Sequence, residues 1–315
     1  MAIYLARRLL WTFGTLFSIC LITFVLMHSV PGGPFEARAG EQGVSAEFVS
    51  AQEAYYGLGD PMPEQFLRML GNLVQGDLGL SFAQQGQHVT DLMLDKIKPS
   101  FLLGVMAFAI VVGVGIPAGT FAAVRRNTVW DYVTLGICTA LAAVPSFVIA
   151  FLLLLTFSVG LDWFDVRLGR GFGDSIGSLR NGILPAVALG APSLALLYRI
   201  TRSAMIEVLE QDYIRTARAK GLAPRELYLR HALPNASLPI VTLLGPIFAG
   251  LVTGSIIIES IFGLPGIGAA FVTSVGQRDY GMIMGTTLFY ATVIIFANLV
   301  VDLMYPVIDP RVRAA

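Results

Sequence analysis

Few residues in this 315-residue chain could do covalent or metal chemistry, and their spacing assembles none. His28, His88 and His231 stand in three separate regions, with no ligand pair at helical spacing to hold a zinc ion. The three lysines, Lys96, Lys98 and Lys220, are followed by Ile, Pro and Gly. A phosphate-binding loop needs Gly-Lys-Ser/Thr so that amides and lysine wrap the phosphates, which excludes ATP hydrolysis by that route. Cys20 and Cys138 fall inside apolar runs and read as packing residues rather than a disulfide or metal pair. Glu259 and Asp302 are the candidates for a proton relay. Each lies near the end of an apolar run, where pairing at a helix end or between helices is the expected role. What remains is electrostatic. Arg215, Arg218, Lys220, Arg225 and Arg230 crowd RTARAKGLAPRELYLRHALPN (215–235), between two long apolar stretches. Charge so placed suits recognition of a partner, not catalysis.

The elements around that segment follow from composition. The chain is 55% hydrophobic and 13% charged, against roughly 25% charged in a soluble domain. Six apolar runs are long enough to cross a bilayer as helices: Leu9–Val30, Phe101–Val124, Tyr132–Val159, Ile183–Ile200, Leu238–Ile258 and Met282–Met304. The fourth is weakest, being short and interrupted by Pro185 and Pro192. Arg7, Arg8 and Ala37-Arg38-Ala39 imitate a signal peptide, but an apolar core of about 20 residues exceeds the ~7–15 of such a segment. The first run therefore reads as an uncleaved span. A net charge of zero argues against a nucleic-acid partner.

Short segments rich in arginine belong on the inner side of a membrane. Arg7, Arg8, Arg125, Arg126, Arg199, Arg202, the five residues above, Arg311 and Arg313 all fall on one side if both termini are cytoplasmic. The 31–100 segment is then extracytoplasmic. Lys96 and Lys98, beside the second span, argue mildly against this orientation.

Within the inner 203–235 segment, Ile206, Leu209, Tyr213 and Ala217 recur at spacings of three and four, which predicts an amphipathic helix over 203–219. Gly221 stands where a helix ends in a left-handed residue. Pro224 suits the first position of a second helix, with Glu226 and Arg230 as an i,i+4 pair. Pro234 and Pro239 are expected to break that helix before the next span. The result is two short helices joined by a glycine bend. It could be a solvated hairpin on the lipid headgroups, or a lever seated in a cytoplasmic partner.

DYIRTARAKGL (212–222) followed by RHALPNASLP (230–239) resembles the cytoplasmic coupling loop of ABC importer permeases, in their dipeptide and oligopeptide branch. That loop reads Glu-Ala-Ala, three residues, Gly, then nine residues to Ile-x-Leu-Pro. Gly221 takes the Gly, Ala217 the second Ala and Leu233-Pro234 the terminal pair. Arg215 and His231 replace the pattern's Glu and Ile, as is usual in the peptide branch. PGGPF (31–35), GDLGLSF (76–82), RRNTVWDY (125–132), VPSF (144–147), RITRSAMIEVL (199–209), IIIESIFGLPGIG (256–268), QRDY (277–280) and VDLMYPVIDPRVR (301–313) carry the likeness along nearly the whole chain. GGPF and FGLPGIG favour the first permease subunit of oligopeptide importers over dipeptide, nickel and glutathione relatives.

The resemblance implies an all-α, polytopic fold with six transmembrane helices, the type I ABC importer transmembrane domain, as one permease domain over 1–315. It implies residence in a bacterial-type cytoplasmic membrane, in contact with lipid, and no enzymatic activity or cofactor, ATP being bound by partner subunits. Those partners are a second homologous permease, two ATP-binding-cassette ATPase subunits and an extracytoplasmic substrate-binding protein that delivers a peptide. The coupling residues would be Tyr213, Arg215, Ala217, Arg218, Lys220, Gly221, Glu226, Arg230 and His231. A permease for nickel, glutathione or another small solute is the alternative within the family, and a stand-alone secondary transporter the alternative outside it. Pro117, Pro145, Pro185 and Pro192 with Gly104, Gly113, Gly115 and Gly119 mark either a transport path or close helix packing. Substrate contacts are not legible. In the family block Glu259 belongs to a turn on the outer face, where Gly263, Pro265, Gly266 and Gly268 are expected to exclude regular helix.

Overall fold

A computed structural model describes residues 2–35, 45–169 and 171–308. Ala37-Arg38-Ala39, Arg170, Arg311 and Arg313 lie outside those residues. The helices are α1 Ala2–Ser29, α2 Ala46–Tyr56, α3 Met62–Val74, α4 Val89–Val124, α5 Val129–Ala143 and α6 Ser146–Leu153, the last continued by a wide π turn, Leu154–Gly160. Then come α7 Ile176–Asn181, α8 Ile183–Leu209, α9 Asp212–Ala219, α10 Pro224–Val252, α11 Ile256–Ile261, α12 Ile267–Gly276 and α13 Tyr280–Ile308. Among the described residues there is no strand, only one isolated bridge between Leu80 and His88. Five of these stretches are long and apolar enough to cross a bilayer, or six if α5 and α6, which meet at a 106° bend, are one broken span. The fold is all-α and polytopic.

Several expected boundaries move, each for a physical reason. The third span is not straight. Val144 is extended and Pro145 has no N–H to continue the ladder, so the chain turns at VPSF. The fourth is one continuous helix: Pro185 sits in its first turn, where N–H groups have no intrahelical acceptor, and Pro192 lies inside the helix without ending it. The second begins at Val89 and carries Pro99 inside it, so the first turns of α4 belong to the stretch read as the 31–100 loop. The fifth stops at Val252, where Gly254 takes φ +83°, and Ser255 caps a separate α11. Glu259 therefore lies on a helix, and Gly268 lies inside α12.

The chain forms two compact units. The first comprises residues up to Lys98 together with Gly266–Val293. Its apolar contacts run from Cys20, Phe24 and Met27 of α1 to Met284 of α13, with Phe66, Met69 and Leu70 of α3 packed alongside. Asp279 is 1% exposed. It accepts hydrogen bonds from the Ser81 hydroxyl, from Phe82 N (3.2 Å) and Ala83 N (3.1 Å), and from Met282 N at the start of α13 (3.3 Å). Arg278 donates to the carbonyls of Pro31 (2.8 Å) and Gly32. One dipeptide of QRDY thus gathers the PGGPF and GDLGLSF blocks, which stand some two hundred residues away in the chain. His28 is half-buried, with Nδ1 at 2.9 Å from Phe24 O and Nε2 at 3.2 Å from Gln65 Oε1.

The second unit comprises Pro99–Pro265 with the end of α13. Its centre is α8, which packs against α5, α6 and α10. Ala186, Ala188, Gly190, Ala191 and Ala195 are buried on several sides of it and let neighbours approach closely. Glycines complete the fit. A Cβ on Gly104 would lie 2.4 Å from Val252 Cα, and one on Gly119 would lie 2.7 Å from Tyr198 O. At those two positions close packing is what the glycine serves, whereas a Cβ on Gly113 would meet open space. Glu259, fully buried, accepts a 2.6 Å hydrogen bond from Ser100.

Candidate coupling site

The charged segment begins where α8 ends. The expected single helix over 203–219 is broken at Glu210–Gln211 into the end of α8 and a separate α9. The break changes the helical phase. Ile214, not Tyr213, is the fully buried residue of α9, and Tyr213 is 45% exposed. Ile214 enters an apolar cluster with Ala123 at the end of α4, Ala204 and Met205 of α8, and Leu227, Ala232 and Ala236 of α10. Ile206, Leu209 and Ala217 pack against it from the side. A helix with a polar outer face is anchored this way by very few side chains.

The bend has the expected chemistry. Gly221 adopts φ +82°, a conformation in which a Cβ collides with the backbone carbonyl but glycine does not. Its N–H reaches Arg218 O at 3.0 Å, and Leu222 N reaches Ala217 O at 3.4 Å. These are the two bonds of a Schellman cap, which satisfy carbonyls at the end of α9. Nothing stands within 4 Å of a Cβ built on Gly221, so the demand there is conformational only. Pro224 opens α10, and Arg230 donates to Glu226 at 2.7 Å as the i,i+4 pair.

Pro234 does not break the helix. Residues Leu227–Ala232 form a π turn, closed by Leu233 N bonding Tyr228 O, and the helix continues through Pro234 to Val252. The wider turn displaces the carbonyl four residues back, which the proline ring would otherwise strike. The second short helix and the fifth span are therefore one continuous helix, and Pro239 also sits inside it.

On the outer face of this hairpin Tyr213, Arg215, Arg218, Lys220, Gly221, Glu226 and Arg230 are exposed, while Ala217 and His231 are half-buried. Arg215 lies 3.4 Å from Asp212, a solvated pair worth little. Arg218 and Lys220 have no acidic partner among the described residues. The structure brings all nine candidates onto one hairpin with an unneutralised basic surface.

The hairpin's connection to the helices was not legible in the sequence reading. Asp131, 1% exposed at the start of α5, receives 2.7 Å hydrogen bonds from both Nε and Nη2 of Arg202 on α8, and another from Asn127 N at 3.0 Å. Arg126 pairs with Glu210 at the end of α8, and the Tyr198 and Thr134 hydroxyls meet at 3.0 Å. An acid in the first turn of one apolar run and an arginine near the charged end of another are a hint that each needs the other. The hint does not say which arginine.

Residues 115–314 match the family described as "Binding-protein-dependent transport system inner membrane component", and residues 1–103 match its N-terminal companion model. The chain belongs to this family. Members include the oligopeptide transport system permease protein OppB of Escherichia coli K12, 42% identical over 98% of this chain and 99% of the relative. The dipeptide transport system permease protein DppB of Bacillus subtilis is 40% identical over 99% and 98%, and that of Escherichia coli K12 is 36% identical over 98% of each chain. The chain is thus a multi-pass membrane permease of the ABC importer class.

Proposed function

We propose that this chain is one permease subunit of an ATP-driven peptide importer, and that residues 203–235 receive the motion of an ATPase. The carrying observation is the hairpin itself: a capped glycine bend, buried by a few apolar residues, that presents unpaired Arg218 and Lys220 to a partner. Likeness over full length to oligopeptide and dipeptide permeases supports peptides as substrate. In this reading both termini and the hairpin are cytoplasmic, and the 31–100 segment faces outward. A second homologous permease completes the pathway, two ATPase subunits bind the ATP, and an extracytoplasmic binding protein delivers the peptide.

Force applied to α9 has two rigid exits. One runs through Ile214 and Leu227 into α10, which is unbroken from Pro224 to Val252. The other runs through α8, which Asp131–Arg202 locks to α5. Closure of the ATPase pair would then swing α8 and α10 together and alternate access between the two sides. The test reconstitutes the chain with its partner subunits in proteoliposomes and measures uptake of labelled peptide, nickel and glutathione. Peptide uptake that needs ATP and the binding protein is expected. Uptake of only nickel or glutathione would move the chain to another branch, and uptake driven by a proton gradient without ATPases would overturn the reading.

A further inference from the structure

A groove of about 500 Å³ opens between the charged end of α4 and the start of α10. Ile116, Pro117, Phe121 and Val124 form one wall, and Tyr228, Leu229 and Leu233 the other. Along α4 it runs for about 12 Å at 1.5 Å per residue, two turns of a helix whose apolar run ends at Arg125 and Arg126. The groove therefore lies just inside the hydrocarbon boundary, and its charged end lies at headgroup level. Two cations stand there. Arg225 lines the groove with Phe121 and Val124, and the Arg125 guanidinium sits 5.5 Å from the Phe121 ring centroid. Neither arginine has an acidic partner among the described residues, because Glu226 is taken by Arg230 and Glu210 by Arg126. The wall also holds Thr120, whose buried hydroxyl has no hydrogen-bond partner there.

We propose that this groove binds one anionic phospholipid, its acyl chain against Phe121, Leu229 and Leu233 and its phosphate against Arg125 and Arg225. An apolar groove with Arg225 in its lining and Arg125 beside its Phe121 wall matches an amphiphile with a negative head. A protein helix laid in the same slot would leave both arginines without a counter-charge in a partly desolvated place, at a cost. Anionic lipid supplies that charge. The bound lipid would wedge between α4 and the rod that carries the hairpin's second helix, so membrane composition would bear on the lever's seating. This site does not depend on which solute is carried.

The test uses the full chain purified with its partner subunits. A phosphatidylglycerol with a diazirine in one acyl chain and the matching phosphatidylcholine are photolysed separately, and the labelled peptides are mapped. The phosphatidylglycerol probe is expected to label 116–124 and 228–233. Replacing Arg125→Gln or Arg225→Gln should each cut that labelling about five-fold at sub-saturating probe. Leu229→Trp fills the slot with both charges kept, so it should abolish labelling there, and it serves if an arginine variant fails to insert. Equal labelling by phosphatidylcholine, labelling that ignores all three substitutions, or none in the groove would overturn the proposal. So would a Leu229→Cys chain that cross-links to a neighbouring protein subunit in place of lipid.

Discussion

Asp131 and Arg202, 71 residues apart, form a two-point ion pair at 2.7 Å that ties the start of α5 to the end of α8, two turns before α8 gives way to the charged hairpin. The carboxylate is buried and Arg202 is nearly so, its side chain 23% exposed. Removing one partner leaves the other charged in a poorly solvated place, which costs more than the pair contributes over an apolar substitute. Asp131→Ala should therefore destabilise the chain by about 2–3 kcal/mol. Asp131→Ala with Arg202→Leu should recover more than half of that. Thermal melting of the purified protein in detergent measures both, and an Asp131→Ala chain that melts like the parent would show the pair to be idle.

Gly221 gives a sharper test of the bend. At φ +82°, Gly221→Val pays about 1 kcal/mol or more and misaims α9 against α10. Because its surroundings are open, insertion and expression should be normal while transport falls. Gly221→Asn, which tolerates the left-handed region, should keep much more of the transport. Full transport by the valine variant at normal expression would mean that the bend is incidental.

Two helix glycines on α4 predict opposite outcomes. Gly104→Ala drives a methyl into the Val252 backbone and should cost about 1–3 kcal/mol as α4 and α10 separate. Gly113→Ala meets nothing and should be neutral or stabilise by about 0.5–1 kcal/mol, since alanine orders less chain on folding. Equal melting shifts for the two would show that the close approach is not tight.

These glycines mark the limit of what sequence alone conveys. The apolar runs were plain because a bilayer leaves a span little choice of composition, and the Gly221–Pro224 punctuation was plain because left-handed backbone and a helix start each demand a residue type. The break at Glu210–Gln211 carries no glycine or proline, so the burial of Ile214 in place of Tyr213 could not be read from periodicity. Pro234 misled, since a π turn ahead of it removes the clash that makes proline a breaker. Asp131–Arg202 and Asp279–Ser81 are long-range choices among many possible partners. For Gly104 and Gly113, residue type is identical and only the facing helix differs.

The proposed orientation rests on the arginine distribution and can be tested on intact cells. Single cysteines at 48–56 or 174–178, in a chain with Cys20 and Cys138 replaced, should react with an impermeant maleimide from outside. Cysteines at 213–226 should not react until the membrane is opened. Labelling of 213–226 in sealed cells would put the hairpin on the side without ATP.

The most direct measurement reverses Arg218 and Lys220 together. Both are exposed at the end of α9 with no acidic partner among the described residues, so Arg218→Glu with Lys220→Glu inverts the charge at the proposed contact without disturbing Ile214 or the Gly221 cap. Arg167→Glu, in the segment between α6 and α7, is the matched control. Co-purification of the ATPase subunits and stimulation of hydrolysis by peptide-loaded binding protein are read for each. The account predicts that the double variant loses ATPase subunits, or keeps them with hydrolysis no longer responsive to the loaded binding protein, while the control assembles normally. Wild-type assembly and wild-type stimulation in the double variant would contradict it, and would leave the basic surface of α9 a merely solvated face.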